Sequence, residues 1–179
     1  FPSMPLKFWN DKNNKKFKEA YFNKYSNVWH HGDYAEIKKN GGFIIYGRSD
    51  TTLNPGGVRL GTAEIYSEVE KFAEIKESIV VGQSWDNDIR IILFVVLNSN
   101  SELTEELINK IKKQIKINAS PRHVPSKIIA VTDIPRTKNG KIVELAVKNV
   151  IEGNDIKNKE ALANPEVLDQ YKGLKELNN

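Results

Sequence analysis

Seven consecutive apolar residues, Ile91 to Leu97, follow Arg90 and a turn-like Trp85-Asp86-Asn87-Asp88, and a second apolar run, Ile79-Val80-Val81, lies just before that turn. Runs this short and rich in β-branched residues read as strands, and two of them divided by a polar turn read as a pair. Seven residues are far too few to span a bilayer, so no membrane insertion is expected. Downstream, Leu103, Leu107, Ile108, Ile111 and Ile115 recur at helical spacing over Glu102 to Lys116, with lysines on the outer face. A helix from Thr62, capped by that threonine, is expected to present Ile65, Val69 and Phe72. Lys127 to Val131 reads as a third strand, and Ile142 to Ile151 as a last helix with Gly153 just past its end. The order helix, two strands, helix, strand, helix gives an α+β class: a roughly three-stranded sheet packed by helices.

The flanks read differently. Residues 1 to about 40 carry many aromatics (Phe8, Trp9, Phe17, Tyr21, Phe22, Tyr25, Trp29) but no sustained period, as expected of a segment that packs against something larger. Asn40-Gly41-Gly42 is a turn signal and Phe43 to Tyr46 a strand, together resembling the last hairpin of a preceding domain. The polar, glycine-bearing stretch Ser49 to Gly61 reads as a hinge. The expected division is 1–50, the incomplete end of a larger N-terminal domain; 51–153, a small mobile C-terminal domain; and 154–179, a polar tail with one weak helical stretch near Val167 to Tyr171. A start at Phe1 rather than Met fits a piece of a longer protein.

Composition narrows the function classes. With 39% hydrophobic and 28% charged residues, the 179-residue chain reads as soluble and globular. A net charge of +4, from 27 basic and 23 acidic residues interspersed, does not imply a general nucleic-acid binder. Without cysteine there is no disulfide framework, thiolate metal site or cysteine nucleophile, and no signal peptide is visible. A cytoplasmic location is the expectation. His30 and His31 are adjacent and lack an evident third ligand, so no metal site is expected.

Two stretches hold candidate chemistry. In Lys138-Asn139-Gly140-Lys141 an Asn-Gly turn lifts Lys141 clear of the surface, and a lysine there is a mobile charge suited to a phosphate and a carboxylate together. Taken alone, the same stretch reads first as a surface hairpin with solvated lysines, since Asn-Gly turns are common. Gly47-Arg48-Ser49-Asp50, followed by Asn54-Pro55-Gly56-Gly57-Val58-Arg59, offers two arginines, a carboxylate and adjacent glycines, which suit phosphate oxygens and close backbone approach. It is also readable as a flexible linker with ordinary charges. It is not a Walker loop, since the Gly-Lys-Ser/Thr ending is missing. Asp33, beside Gly32, is able to accept from sugar hydroxyls. The lysines of the 102–116 helix are a solvated face or a contact for cofactor phosphates.

Taken in order, Trp29-His-His-Gly-Asp33, Gly47-Arg-Ser-Asp50, Pro55-Gly-Gly-Val-Arg-Leu-Gly-Thr-Ala-Glu-Ile-Tyr66 and Pro135-Arg-Thr-Lys-Asn-Gly-Lys141 resemble the adenylate-forming acyl-CoA synthetases. Phe1 to Pro5, Phe8 to Asp11, Ser120 to Pro125 and Asn164 to Tyr171 resemble more narrowly the members that use acetoacetate. The resemblance implies a ligase that joins acetoacetate to CoA at the expense of ATP, with Mg2+, through an acyl-adenylate. It implies Lys141 as the catalytic lysine, Asp33 on the ribose hydroxyls, Arg48 and Arg59 at the nucleotide, and Asp50 at the hinge. Gly57 would line the pantetheine channel and Lys116 would approach the CoA nucleotide. The ATP and acyl sites would lie mainly in the N-terminal domain of the same chain, so these residues alone would be inactive. Alternatives are a ligase for another short acid such as acetate or propionate, and a non-catalytic phosphate- or nucleic-acid-binding module.

Overall fold

A computed structural model describes residues 4–156 and 158–179. By contact the chain falls into two units, one ending at Asp33 and the other running from Tyr34 onward. The first is more ordered than its irregular sequence led us to expect. A short helix, α1 (Lys15–Tyr21), has its first turn tied to Asp11, whose carboxylate accepts from the amides of Lys16 (2.9 Å) and Phe17 (2.8 Å). Phe8, Phe17, Tyr21, Phe22 and Trp29 form one aromatic cluster. Tyr21 stacks on Trp29 at 3.8 Å, and Phe17 meets Phe8, Tyr21, Phe22 and Trp29. Aromatic contact supplies the order here, and it leaves no periodic trace in the sequence.

The second unit opens with strands β1 (Asp33–Ile37) and β2 (Phe43–Arg48), paired as the hairpin that the Asn40-Gly-Gly turn implied, although β1 itself carried no sequence signal. The main sheet follows. Strands β3 (Ile75–Trp85) and β4 (Asp88–Leu97) are antiparallel, with Trp85 opposite Asp88 across a two-residue turn. Both turn residues, Asp86 and Asn87, have positive φ, the backbone that matches the right-handed twist of a tight hairpin. β5 (Lys127–Ala130) joins the other edge of β4 in parallel, with Leu93 opposite Ile128. A parallel neighbour requires a crossover, which helix α3 (Glu105–Asn118) provides.

Side-chain alternation along β4 divides the interior in two. Ile92, Phe94 and Val96 face one cluster with Ile134, Leu168, Tyr171 and helix α4 (Glu144–Ile151). Ile91, Leu93 and Val95 face the other, with α3 and helix α2 (Thr62–Val69). Residues 154–179, polar on average, place Leu162, Leu168, Tyr171 and Leu177 in the first cluster, and the Tyr171 ring meets Phe94 edge-on at 4.9 Å.

Helix ends differ from expectation in instructive ways. Thr104 caps α3 by accepting from the Leu107 amide at 3.2 Å, whereas Thr62 does not cap α2. The cap there is Gly61, and Thr62 is the first helical residue, buried at 4% exposure. α2 and α3 are joined by Glu68, whose carboxylate accepts from Lys71 (2.6 Å), Gln114 (2.9 Å) and Asn118 (2.8 Å). The Lys71 hydrogen bond, followed by Asn118, lowers the Glu68 pKa below its ordinary value.

Two stability predictions follow from this packing. Leu168→Ala should cost about 2–5 kcal/mol in denaturant unfolding, whereas Lys172→Ala, on the exposed side of the same tail, should stay within about 0.5 kcal/mol. Because the folded pKa of Glu68 is lowered, its contribution is present above the unfolded carboxylate pKa and is lost as pH falls through the folded value. Glu68→Gln should therefore flatten the acid limb of the stability–pH curve. An unchanged limb would show that this carboxylate is not linked to folding.

Candidate functional site

The Lys141 turn is built from local hydrogen bonds. Gly140 N–H donates to the Thr137 carbonyl (2.8 Å), Thr137 N–H to the Lys141 carbonyl (2.8 Å), and Lys141 N–H to Thr137 Oγ1 (3.1 Å). Gly140 adopts φ +77, the left-handed conformation that closes a three-residue hairpin loop and that a side chain disfavours. One isolated bridge, Arg136 to Ile142, continues the pairing. Lys141 is exposed. Among the described residues no hydrogen bond or ion pair engages its ammonium.

Two contacts that sequence reasoning missed fix this turn to the body. Arg136 donates from Nη1 to the Gly140 carbonyl (3.2 Å) and pairs through Nη2 with Glu77 of β3 (2.5 Å). Past the turn, Glu144 at the start of α4 accepts from the Tyr66 hydroxyl (2.5 Å), which itself accepts from the Val80 amide (3.0 Å). Burial, reinforced by the Glu144 charge, raises the Tyr66 pKa well above its ordinary value, so the phenol remains a donor. Neither pair has a spacing that would mark it in the sequence, because each joins elements far apart along the chain.

The other candidates lie elsewhere. Asp33 contacts His31 through Nδ1 within the first unit. Arg48, at the end of β2, pairs with Asp50 (Nε–Oδ1 3.4 Å), while its carbonyl accepts from the hydroxyls of Thr51 (3.3 Å) and Thr52 (2.9 Å). Asp50 thus sits in a turn whose two sides are tied together. A bridge between Leu53 and Leu60 brackets Gly57 and Arg59. Gly57 has φ +76 and open space where a Cβ would stand, and the neighbouring Gly56 amide donates to both Asp88 oxygens at 2.9 Å. Arg59 lines an open cleft of about 430 Å3 with Tyr34, Tyr46, Glu64 and His123. His123 is buried, with Nε2 3.0 Å from Glu64 and Nδ1 2.8 Å from Ser120 Oγ. Lys116 is exposed in the last turn of α3.

Within the second unit the candidate positions do not form one constellation. Leu53 and Leu60, which carry Gly57 and Arg59 between them, pack with α3 on one face of the sheet. Val143, Ala146 and Val147, which follow Lys141, pack on the other. Among the described residues no group of three or more His, Cys, Asp or Glu is placed to hold a metal ion, and no helix is long and apolar enough to cross a membrane.

Tyr66→Phe should cost about 1–3 kcal/mol, because it strands the Val80 amide and removes the donor to Glu144. The check is the denaturation midpoint, and an unshifted midpoint would mean that water replaces the phenol at no cost.

Comparison with known proteins agrees with this architecture. Residues 64–141 match the AMP-binding enzyme C-terminal domain. The acetoacetyl-coenzyme A synthetase of Rhizobium meliloti (strain 1021) is 60% identical over 177 residues, which is 99% of this chain and 27% of that protein. The acetoacetyl-CoA synthetase of Gallus gallus is 47% identical over 180 residues, 99% of this chain and again 27% of the relative. The solved acetoacetyl-CoA synthetase from Streptomyces lividans superposes with a TM-score of 0.89 at 38% identity, covering 100% of this chain and 27% of that one. The chain therefore spans about a quarter of the length of the relatives it matches. Residues 64–141 thus match an AMP-binding enzyme C-terminal domain, and the chain as a whole, with its helices, three-stranded sheet and lysine turn, is similar to about a quarter of the length of the acetoacetyl-CoA synthetases.

Proposed function

We propose that these residues are the C-terminal part of a ligase that converts acetoacetate, ATP and CoA to acetoacetyl-CoA, AMP and pyrophosphate in the cytoplasm. In the first step an acetoacetate oxygen attacks the α-phosphorus of ATP, and the bond to pyrophosphate breaks. In the second the CoA sulfur attacks the acyl carbon of the adenylate, and the bond to AMP breaks. A large N-terminal domain of the same polypeptide would hold ATP, Mg2+ and the acyl group. In this reading residues 1–50 end that domain, 51–153 form the small mobile one, and 154–179 close the chain.

The observation that carries the proposal is the exposed Lys141 ammonium on one face of the sheet, with Gly57 and Arg59 on the opposite face. Carboxylate and triphosphate are both anionic, so their approach is repulsive until a cation lies between them. A positioned ammonium offsets that repulsion and stabilises charge growing on the α-phosphate. Thioester formation needs no such cation but does need a path for the pantetheine arm, and a side-chain-free, open Gly57 suits one. A single static pose cannot present both faces to one reaction centre. Rotation about Asp50 would present them in turn, with Arg48 and Asp33 at the nucleotide, Arg59 neutralising phosphate and Lys116 near the CoA nucleotide. Mg2+ would accompany the ATP phosphates.

In the whole ligase, Lys141→Ala should lower acetoacetate-dependent ATP–pyrophosphate exchange by about 10² to 10³ and spare thioester formation from supplied acetoacetyl-adenylate and CoA. Equal loss in both half-reactions would refute the role. Exchange supported equally by acetate or propionate would move the acyl substrate away from acetoacetate.

A further inference from the structure

The stretch that begins at Ala161 has no part in the reaction outlined above, and it lies beyond the matched domain, which ends at Lys141. It nevertheless holds the approach to that lysine. Thr137 and Leu162 form an antiparallel bridge. Lys138 N–H donates to the Ala161 carbonyl (3.2 Å), and Ala163 N–H donates to the Arg136 carbonyl (2.8 Å). Asn164 then uses its whole amide. Its Oδ1 accepts from Arg136 N–H (2.9 Å), and its Nδ2 donates to the Ile134 carbonyl (3.0 Å) and to Asp133 Oδ2 (2.9 Å). One step further back, Gln170 Nε2 and the Tyr171 hydroxyl both donate to the Asp133 carbonyl at 2.9 Å. Gln170 Oε1 accepts from the Thr132 amide (2.7 Å) and hydroxyl (3.0 Å).

A two-stranded hairpin standing alone in water is marginally stable, and the Lys141 hairpin has a single bridge of its own. Residues 161–164 run beside it, joined by the Thr137–Leu162 bridge and the two backbone hydrogen bonds. Leu162, Leu168 and Tyr171 are buried in the core, so the support is anchored to the body of the domain. Arg136 is the point where both supports meet. Its backbone is held by Ala163 and Asn164, and its guanidinium by Glu77 and Gly140.

We propose that residues 161–164, anchored by Asn164, are a brace that positions Lys141, so that the C-terminal tail takes part in adenylation without touching substrate. This rests on the adenylation role of Lys141. Asn164 is a positioning residue, and its loss lets the turn drift rather than removing a reacting group. Misplacement of a reacting charge by about 1 Å costs on the order of 10²-fold in rate.

The test compares the two half-reactions in the whole ligase. Asn164→Ala should lower pyrophosphate exchange about 10- to 100-fold, through kcat with the KM for ATP unchanged, and leave thioester formation from supplied adenylate intact. Leu177→Ala is the control. Its side chain is buried in the same cluster but lies beyond the stretch that anchors the hairpin, so it should lower stability and leave the ratio of the two half-reactions at the wild-type value. If Asn164→Ala does not fold, Asn164→Asp carries the test, because it keeps the acceptor for Arg136 and loses both donors. The same selective loss is expected from it. Equal loss in both half-reactions, or no loss in either, would overturn the brace. Lys141→Ala measured alongside separates the two ideas. If it is not selective, the role of the lysine fails and the brace with it. If it is selective while the Asn164 variants are not, the brace alone fails.

Discussion

β4 is apolar on both faces and paired on both edges, and the rest of the domain follows from covering it. Ile91, Leu93 and Val95 on one side and Ile92, Phe94 and Val96 on the other are all nearly inaccessible. A strand of this kind cannot leave either face to water, since each exposed side chain of its size would forfeit roughly 1.5–3 kcal/mol. α2 and α3 cover one face; α4 and the tail cover the other. The tail is therefore needed for packing before it is needed for anything else. The same demand separates the candidate residues. The Leu53–Leu60 segment is drawn to the α3 side and the Lys141 hairpin to the α4 side, because the apolar residues flanking each have to be buried there.

What could be read from the sequence was what depends on near neighbours. The Ile79 and Ile91 runs, the stripe from Leu107 to Ile115 and the turn at Gly140 each announce themselves within a few residues, and the structure has all of them, with β3 extended beyond its apolar run at both ends and α3 and α4 starting at Glu105 and Glu144 rather than Glu102 and Ile142. The order helix, two strands, helix, strand, helix survives intact. Thr62 shows the limit of local rules. As a residue type it is a good cap, yet packing beneath α2 draws it into the first turn and leaves the cap to Gly61. The first forty residues and the tail were hardest to read, because both owe their order to contacts without a period. Tyr171 looks like one aromatic in a polar stretch until Phe94 is placed against it.

The candidate site divides in the same way. The turn that exposes Lys141 is written in Lys138-Asn139-Gly140-Lys141, and its geometry is the one that glycine at that position permits. The supports of that turn are not written locally. Glu77 and Arg136, Tyr66 and Glu144, Asn164 and Asp133 are each unremarkable polar residues until the fold brings them within hydrogen-bond reach. A burial pattern would not have singled them out either, since most are only half covered.

These supports also bear on why the lysine charge stays available. An exposed ammonium near a carboxylate readily forms a surface ion pair. Such a pair is worth little for stability, yet it would give the ammonium a resting partner. Two carboxylates tied to this part of the fold are already engaged. Glu77 accepts from Arg136, and Glu144 from the buried Tyr66 phenol. Arginine suits the first pairing because its fork reaches the Gly140 carbonyl as well, which a lysine there would not do in the same geometry. A neutral phenol suits the second because it satisfies Glu144 without adding a cation next to Lys141. The arrangement fixes the backbone of the turn while leaving the Lys141 charge unneutralised, and a group that met anions in one step and withdrew in the next, as proposed above, would require both.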